Sequence, residues 1–367
     1  MGEVKRGFAP PISYPGISKK NYFSGLLVIG LNPVGDAKRS KETMAHTVRI
    51  YETGAPEVMR WEAVATSDPG PGEVRIRHVA VGLNYADTYF RTGLYPVPLP
   101  NGMGVEASGI IEAVGIGVFH VAPGDRVAYT GSPLGAYSTE RIMPAAPLVK
   151  LPEAISCETA AGMMMRGLTA SYLLRRIYPL EAGMTVLIHA AAGGLGLIFC
   201  QWAKLLGLTV IGTVSTEAKA EIARAHGCDH IIMYTREQVP KRVREITNGE
   251  GVSVVYDSVG KDTFAGSLGS LRRRGLLVCV GTSSGKIPPI DAMQLVMNGS
   301  LFVTRPALAD YITPRSELEL LSGELFDHVA NGRIKIKINQ KYALQDAVRA
   351  HHDLEARKTT GSSVFVV

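Results

Sequence analysis

The segment TVLIHAAAGGLGLIFCQWAKLLG, residues 185–207, constrains this chain more than any other stretch. Residues 185–188 are β-prone and mostly apolar, as in a buried strand. Ala191-Ala192-Gly193-Gly194-Leu195-Gly196 follows, and an apolar pattern of helical period begins at once. A strand that turns through glycines into a helix leaves the first helical N–H groups free, with the positive end of the dipole beside them. Lacking Cβ atoms, the backbone also comes close to whatever binds there. The pyrophosphate of a dinucleotide requires these features, and the last glycine lets helix and strand pack closely. The spacing is A-x-G-x-x-G, departing from G-x-G-x-x-G at Ala191, so the assignment leans on what surrounds the motif.

Those surroundings alternate strand and helix. Strand-like runs are expected at 185–189, 209–213, 230–233, 252–256, 276–280 and 301–303, with helical runs at 195–206, 219–226 and 238–247. Six such strands make a doubly wound parallel α/β sheet. An NAD site usually ends its second strand in an acid that holds the ribose 2′-hydroxyl. Here that place holds Val214, followed by Ser215 and Lys219, a hydroxyl and a cation suited to a 2′-phosphate. Glu217 reads as the first turn of a helix, where acids are favoured. The expected cofactor is NADPH, and His189 reads as structural.

Ahead of this region, 47–151 is rich in short β-like runs (73–81, 109–114, 125–129, 136–142) punctuated by Gly and Pro, which predicts a mostly antiparallel β domain. Residues 157–177 read as one long helix, with Met163–Met165 in the core. After 314 the pattern gives helices at 316–331 and 344–358 and a last strand at 363–367, so the C-terminus is expected to complete the first domain. Residues 1–43 look foreign to the rest, and are expected to be a disordered extension or a mis-assigned start. They carry seven of the 39 basic side chains and three of the 33 acidic ones, which leaves the body near neutral. With no basic, aromatic-interleaved face, nucleic-acid binding is not expected. No apolar run reaches the roughly 18 residues of a membrane span. The four cysteines, Cys157, Cys200, Cys228 and Cys279, show no C-x-x-C spacing and suggest a reducing, cytoplasmic setting.

Three other signals are set aside. Gly281-Thr282-Ser283-Ser284-Gly285 matches the nucleophile-elbow pattern, but Lys286-Ile287-Pro288-Pro289 denies it the helix it needs. His226-Gly227-Cys228-Asp229-His230 lacks a fourth metal ligand. Arg272-Arg273-Arg274 reads as a solvated helix end.

The runs GLNYADTYFRTGLYP (82–96), GVEASGIIEAVGIGV (104–118), GDRVAY (124–129), HAAAGGLG (189–196), GTVSTEAKA (212–220), VVYDSVG (254–260), GLLVCVGTSSG (275–285) and SLFVTRPAL (300–308) resemble the medium-chain dehydrogenase/reductase superfamily, in its zinc-independent NADPH:quinone oxidoreductase (zeta-crystallin-like) branch. The resemblance covers 44–367. It implies a Rossmann doubly wound parallel sheet domain (168–307) inserted into a mostly β GroES-like catalytic domain (44–167 plus 308–367). Zinc-keeping relatives have a Cys at the place of Asn84 and a His-Glu pair at Val105-Glu106, so no catalytic metal is implied. Asn84, Tyr89, Tyr95 and Arg305 are implied at the acceptor. Thr169, Ser258 and Gly281 are implied near the nicotinamide, Tyr234 at the adenosine end and Arg357 near the 2′-phosphate. Ala191, Gly193, Gly194, Leu195, Gly196, Ser215 and Lys219 complete the cofactor set. A homodimer paired through the nucleotide domain is expected. The implied reaction is hydride transfer from NADPH to a quinone; an α,β-unsaturated carbonyl is an alternative acceptor, and NADPH binding without turnover is an alternative of another class.

Overall fold

The computed structural model describes residues 43–367; apart from Thr43, the segment read as an extension or mis-assigned start lies outside the described residues. Period-two alternation builds the first part of the described chain. In order come β1 (Thr43–Ile50), β2 (Arg60–Thr66), β3 (Glu73–Leu83), the helix α1 (Tyr85–Arg91), β4 (Asn101–Gly102), β5 (Glu106–Val114), β6 (Arg126–Thr130), β7 (Glu140–Pro144) and β8 (Val149–Lys150). In β3 the residues Val74, Ile76, His78 and Ala80 are buried while Arg77 between them is exposed, as a strand with one face on a core requires.

The helix expected over 157–177 is broken into α2 (Cys157–Ala161) and α3 (Met164–Arg175). The break falls at Gly162-Met163, and the new N-terminus places the Met165 N–H on the buried carboxylate of Glu106, 2.8 Å away. Helical periodicity runs through the break because both pieces pack apolar residues on the same core.

The nucleotide-fold half then runs β9 (Thr185–Ile188), α4 (Gly194–Leu205), β10 (Thr209–Val214), α5 (Glu217–Ala225), β11 (His230–Met233), α6 (Val239–Ile246), β12 (Val252–Asp257), α7 (Phe264–Ser270), β13 (Leu271–Cys279), α8 (Ala292–Met297) and β14 (Phe302–Thr304). Its strands pair in the order β11-β10-β9-β12-β13-β14, all parallel. Every residue of β12 is buried, which is why that run is apolar almost throughout. The order reverses between β9 and β12, and ligands of open parallel sheets sit outside the strand ends at such a point. Arg272–Arg274 are not a helix end. They occupy the start of β13 where its ladder with β12 slips, with Arg274 at φ 58°, so the arginines stand out into solvent from an irregular strand. Residues 281–285 form a turn, and the next helix is α8.

The chain closes through α9 (Leu308–Ile312), α10 (Arg315–Ala330), β15 (Ile338–Ala343), α11 (Ala347–Glu355) and β16 (Ser362–Val366). The last strand pairs antiparallel with β3 and parallel with β15, returning the tail to the sheet of the first part. The fold is α/β, a Rossmann-type parallel sheet joined to a GroES-like β unit.

Candidate active site

A cleft of about 1650 Å³ is lined by residues from both the parallel-sheet half and the β-rich first part. One wall is the glycine turn. A Cβ on Gly196 would fall 2.5 Å from the carbonyl oxygens of Ala190 and Ala191, and one on Gly194 would fall 2.4 Å from Arg166 Nε. The sequence is glycine there because main chain and a guanidinium fill the space. α4 starts with no side chain capping its free N–H groups, so they are available to an anion in the cleft. Gly193, Gly194, Leu195 and Gly196 line the cleft, whereas Ala191 lies beneath the turn, fully buried against Gly212, and Ala192 takes its place on the wall.

Farther along this wall, Val214 ends β10 in the core, and Ser215, Lys219 and Tyr234 line the cleft. Lys219 Nζ donates to the carbonyl oxygen of Arg357 at 2.9 Å, which holds the Arg357 turn (φ 58°) at the same end. Glu217 is the first residue of α5 and pairs with Arg224 at 3.0 Å. This donor set has no acid at the end of β10, and it fits a phosphate-bearing dinucleotide. Ser258, Gly281 and Thr169 line the middle of the cleft, and a Cβ on Gly281 would lie 2.7 Å from the Ser258 carbonyl oxygen. His189 is held between the hydroxyls of Thr213 and Ser267, each at 3.0 Å, and burial lowers its pKa, so it stays neutral.

The opposite wall is made of side chains. Asn84 precedes α1; its N–H donates to Asp87 Oδ2 at 2.8 Å and its amide Nδ2 donates to Glu106 Oε2 at 2.6 Å. Glu106 is fully buried, and Arg166 Nη1 lies 3.5 Å from the same oxygen. Burial raises the Glu106 pKa, opposed by the Arg166 charge and by the hydrogen bonds from Asn84 and Met165. Gly82 makes room for this carboxylate, since a Cβ there would fall 2.2 Å from its Oε2. Both carboxylate oxygens are thus occupied, and the neighbouring groups are an amide and the apolar Val105. Among the described residues no group of three His, Cys, Asp or Glu side chains could hold a metal ion, and the Asn84 amide and Val105 do not fit a catalytic zinc.

Three tyrosines complete the wall. Tyr85 donates to the Ser283 carbonyl oxygen at 3.2 Å, Tyr89 accepts from the Thr282 N–H at 2.9 Å, and Tyr95 accepts from Arg305 Nη2 at 3.0 Å. Their rings meet edge to face, with Tyr89 and Tyr95 centroids 5.1 Å apart. Behind α1, Tyr137 donates to Asp87 at 2.9 Å, and His351 bridges Tyr137 and Arg91. Asn84, Tyr89, Tyr95 and Arg305 therefore share one wall with Arg166 and Tyr85, which sequence reasoning missed. A lone arginine in the apolar run MMMRGL was the available signal for Arg166.

Residues 70–153 match the alcohol dehydrogenase GroES-like domain, and residues 194–311 match the zinc-binding dehydrogenase family. The chain is 49% identical to the quinone oxidoreductase of Pseudomonas aeruginosa over 324 residues, covering 88% of this chain and all of that protein. It is 46% identical to the 2-haloacrylate reductase of a Burkholderia species, covering 86% and 97%. The crystal structure of Escherichia coli quinone oxidoreductase complexed with NADPH superposes with a TM-score of 0.86 at 48% identity, covering 88% of this chain and all of that one.

Proposed function

The chain belongs to the quinone oxidoreductase branch of the medium-chain dehydrogenase/reductase superfamily, and from that premise we propose that it is a zinc-independent NADPH:quinone oxidoreductase. The observation that carries the reading is the Asn84–Glu106–Arg166 cluster, which fills with a buried ion pair and an amide the place where zinc-keeping relatives hold metal ligands. NADPH, when bound, supplies the hydride. The chain's own residues bind, align and keep water out. Gly193, Gly194, Leu195 and Gly196 with the α4 N-terminus hold the pyrophosphate, Ala191 supporting them from below. Ser215, Lys219, Tyr234 and Arg357 take the 2′-phosphate and adenosine end. Thr169, Ser258 and Gly281 flank the nicotinamide. On the other wall Asn84, Tyr95 and Arg305 face an acceptor oxygen that gains negative charge, and Tyr89 supplies or relays the proton. Its oxygen is occupied as an acceptor by the Thr282 N–H, which leaves its own hydrogen free.

A second acceptor class, the α,β-unsaturated carbonyl, is favoured by the 2-haloacrylate reductase relative. The same reading divides the chain into a GroES-like catalytic domain (44–167 and 308–367) and an NADPH-binding domain (168–307), supported by the return of β16 to β3. It includes a homodimer paired through β14 and α8, supported by the exposed Met293, Val296, Met297 and Phe302. It also includes a cytoplasmic location; no described helix is long and apolar enough to cross a membrane. The test follows NADPH absorbance with ortho- and para-quinones, enones and an alcohol/aldehyde pair, with a chelator present and NADH as control. Chelator-insensitive quinone turnover that prefers NADPH is expected. Faster enone turnover would reassign the acceptor, and chelator-sensitive alcohol oxidation would overturn the reading.

A further inference from the structure

Among the described residues, seven buried side-chain atoms find no hydrogen-bond partner, and one of them, Thr130 Oγ1, belongs to a residue that lines the cleft. Thr130 is the last residue of β6 and is 4% exposed. It stands directly opposite Glu106 in the antiparallel ladder, and opposed residues put their side chains on the same face roughly 5 Å apart. Its side chain thus shares a face of the sheet with Glu106. Glu106 does not satisfy it. One carboxylate oxygen accepts from the Met165 N–H, and the other accepts from Asn84 and lies against Arg166. The Val105 carbonyl oxygen is taken by the Gly131 N–H at 2.8 Å. A buried hydroxyl without a partner is uncommon and calls for an explanation. A ligand in the cleft that Thr130 lines would bring an acceptor to this hydroxyl.

We propose that the Thr130 hydroxyl binds the carbonyl oxygen of the acceptor, pairing with the second N–H of the Asn84 amide. This rests on the reading of the chain as a quinone reductase and deepens it by naming a residue that determines the acceptor. The oxygen so held is the one that gains negative charge as hydride arrives at the substrate. Thr130 gives up no proton; its O–H remains bonded and its donor strength counts more because the pocket is dry. An acceptor with a carbonyl oxygen uses this pair, and one without it does not.

The experiment compares wild type with Thr130→Val, which keeps the shape and deletes the hydroxyl, Thr130→Ser, which restores it, and Thr130→Ala, a second deletion should the valine variant fold poorly. Steady-state kinetics with a para-quinone and an enone are read beside the NADPH dissociation constant and the thermal midpoint. Losing one hydrogen bond to a charge-gaining oxygen should lower kcat/KM roughly ten-fold in the valine and alanine variants. NADPH affinity should stay at the wild-type value, the serine variant should recover most of the loss, and the thermal midpoint should not fall in Thr130→Val. Unchanged kcat/KM in both deletion variants while wild type reduces quinone would overturn this inference alone. A loss shared equally by NADPH affinity, or not recovered by serine, would also overturn it by making the role structural. A wild-type protein that reduces neither acceptor would overturn the proposed function, and this inference with it.

Discussion

On the cofactor side of the cleft the shape is made by main chain. Gly194, Gly196 and Gly281 leave out side chains so that main-chain carbonyls and one arginine side chain occupy the space. On the acceptor side the shape is made by side chains that meet in the interior, Asn84 from the end of β3, Glu106 from β5 and Arg166 from α3. The difference has an energetic consequence. A wall of backbone tolerates changes in the side chains that reach over it, losing ligand contacts only. A wall of mutually bonded buried groups holds its shape only while each member is present, because each orphaned partner carries its own desolvation cost.

The largest effect should come from breaking that second wall at its centre. Glu106→Ala strands Arg166 without its carboxylate and leaves the Asn84 amide and the Met165 N–H unpaired. A loss of about 3–5 kcal/mol of stability is expected, read by urea unfolding, together with loss of quinone turnover. A variant as stable as wild type would mean that the acceptor wall is no more cooperative than the cofactor wall.

Next in size is a pH effect on the same wall. Burial raises the Asp87 pKa from 3.8 to about 7, against hydrogen bonds from the Asn84 N–H and the Tyr137 hydroxyl that favour the anion. The raised value means that the folded chain holds a proton which the unfolded chain has released. The resulting stabilisation is complete below pH 3.8 and is lost as pH rises through about 7. Asp87→Asn removes this dependence and nothing on the cofactor wall. The stability of the variant relative to wild type should therefore climb between pH 4 and 7, by up to about 1.4 kcal/mol per pH unit, then level off. Denaturant midpoints at four pH values test it, and a flat difference would refute it.

The two walls also differ in how far a reader of the sequence can see them. The glycine turn and the strand–helix alternation are local, so period and composition sufficed to read them, and the Ser215–Lys219 pair was proposed from equally local positions. The contacts of the other wall join residues 22, 60, 193 and 210 positions apart, at Asn84–Glu106, Glu106–Arg166, Tyr89–Thr282 and Tyr95–Arg305. No spacing rule reaches that far, and Asn84, Tyr89, Tyr95 and Arg305 were named through family resemblance. Arg166 and the break that starts α3 were missed because an apolar helical period hides both. Ala191 is the reverse case: this motif position lies buried beneath the turn and not on the cleft wall. Lys219→Ala then sharpens the contrast. It should weaken NADPH by about 1.5–3 kcal/mol, roughly ten- to hundred-fold, and leave NADH affinity unchanged. Equal weakening of both cofactors would place Lys219 away from the 2′-phosphate.

The smallest effect should lie where the walls touch. Tyr89 belongs to the acceptor helix α1, yet its oxygen accepts from the Thr282 N–H of the loop after β13. Burial raises the Tyr89 pKa while that N–H opposes the rise, so the phenol stays protonated at neutral pH and its hydrogen remains available to the cleft. Tyr89→Phe keeps the edge-to-face ring contacts with Tyr85 and Tyr95 and removes both roles of the oxygen. If the tyrosine only ties the loop, the cost is one hydrogen bond of about 1 kcal/mol, falling on stability and NADPH affinity. If it carries the proton, kcat falls with NADPH affinity intact, and the solvent deuterium isotope effect on kcat changes, because proton delivery then passes to water by another route. The two readings divide the same modest loss between different constants, so measuring the dissociation constant beside kcat assigns Tyr89 to the architecture of the cleft or to its chemistry.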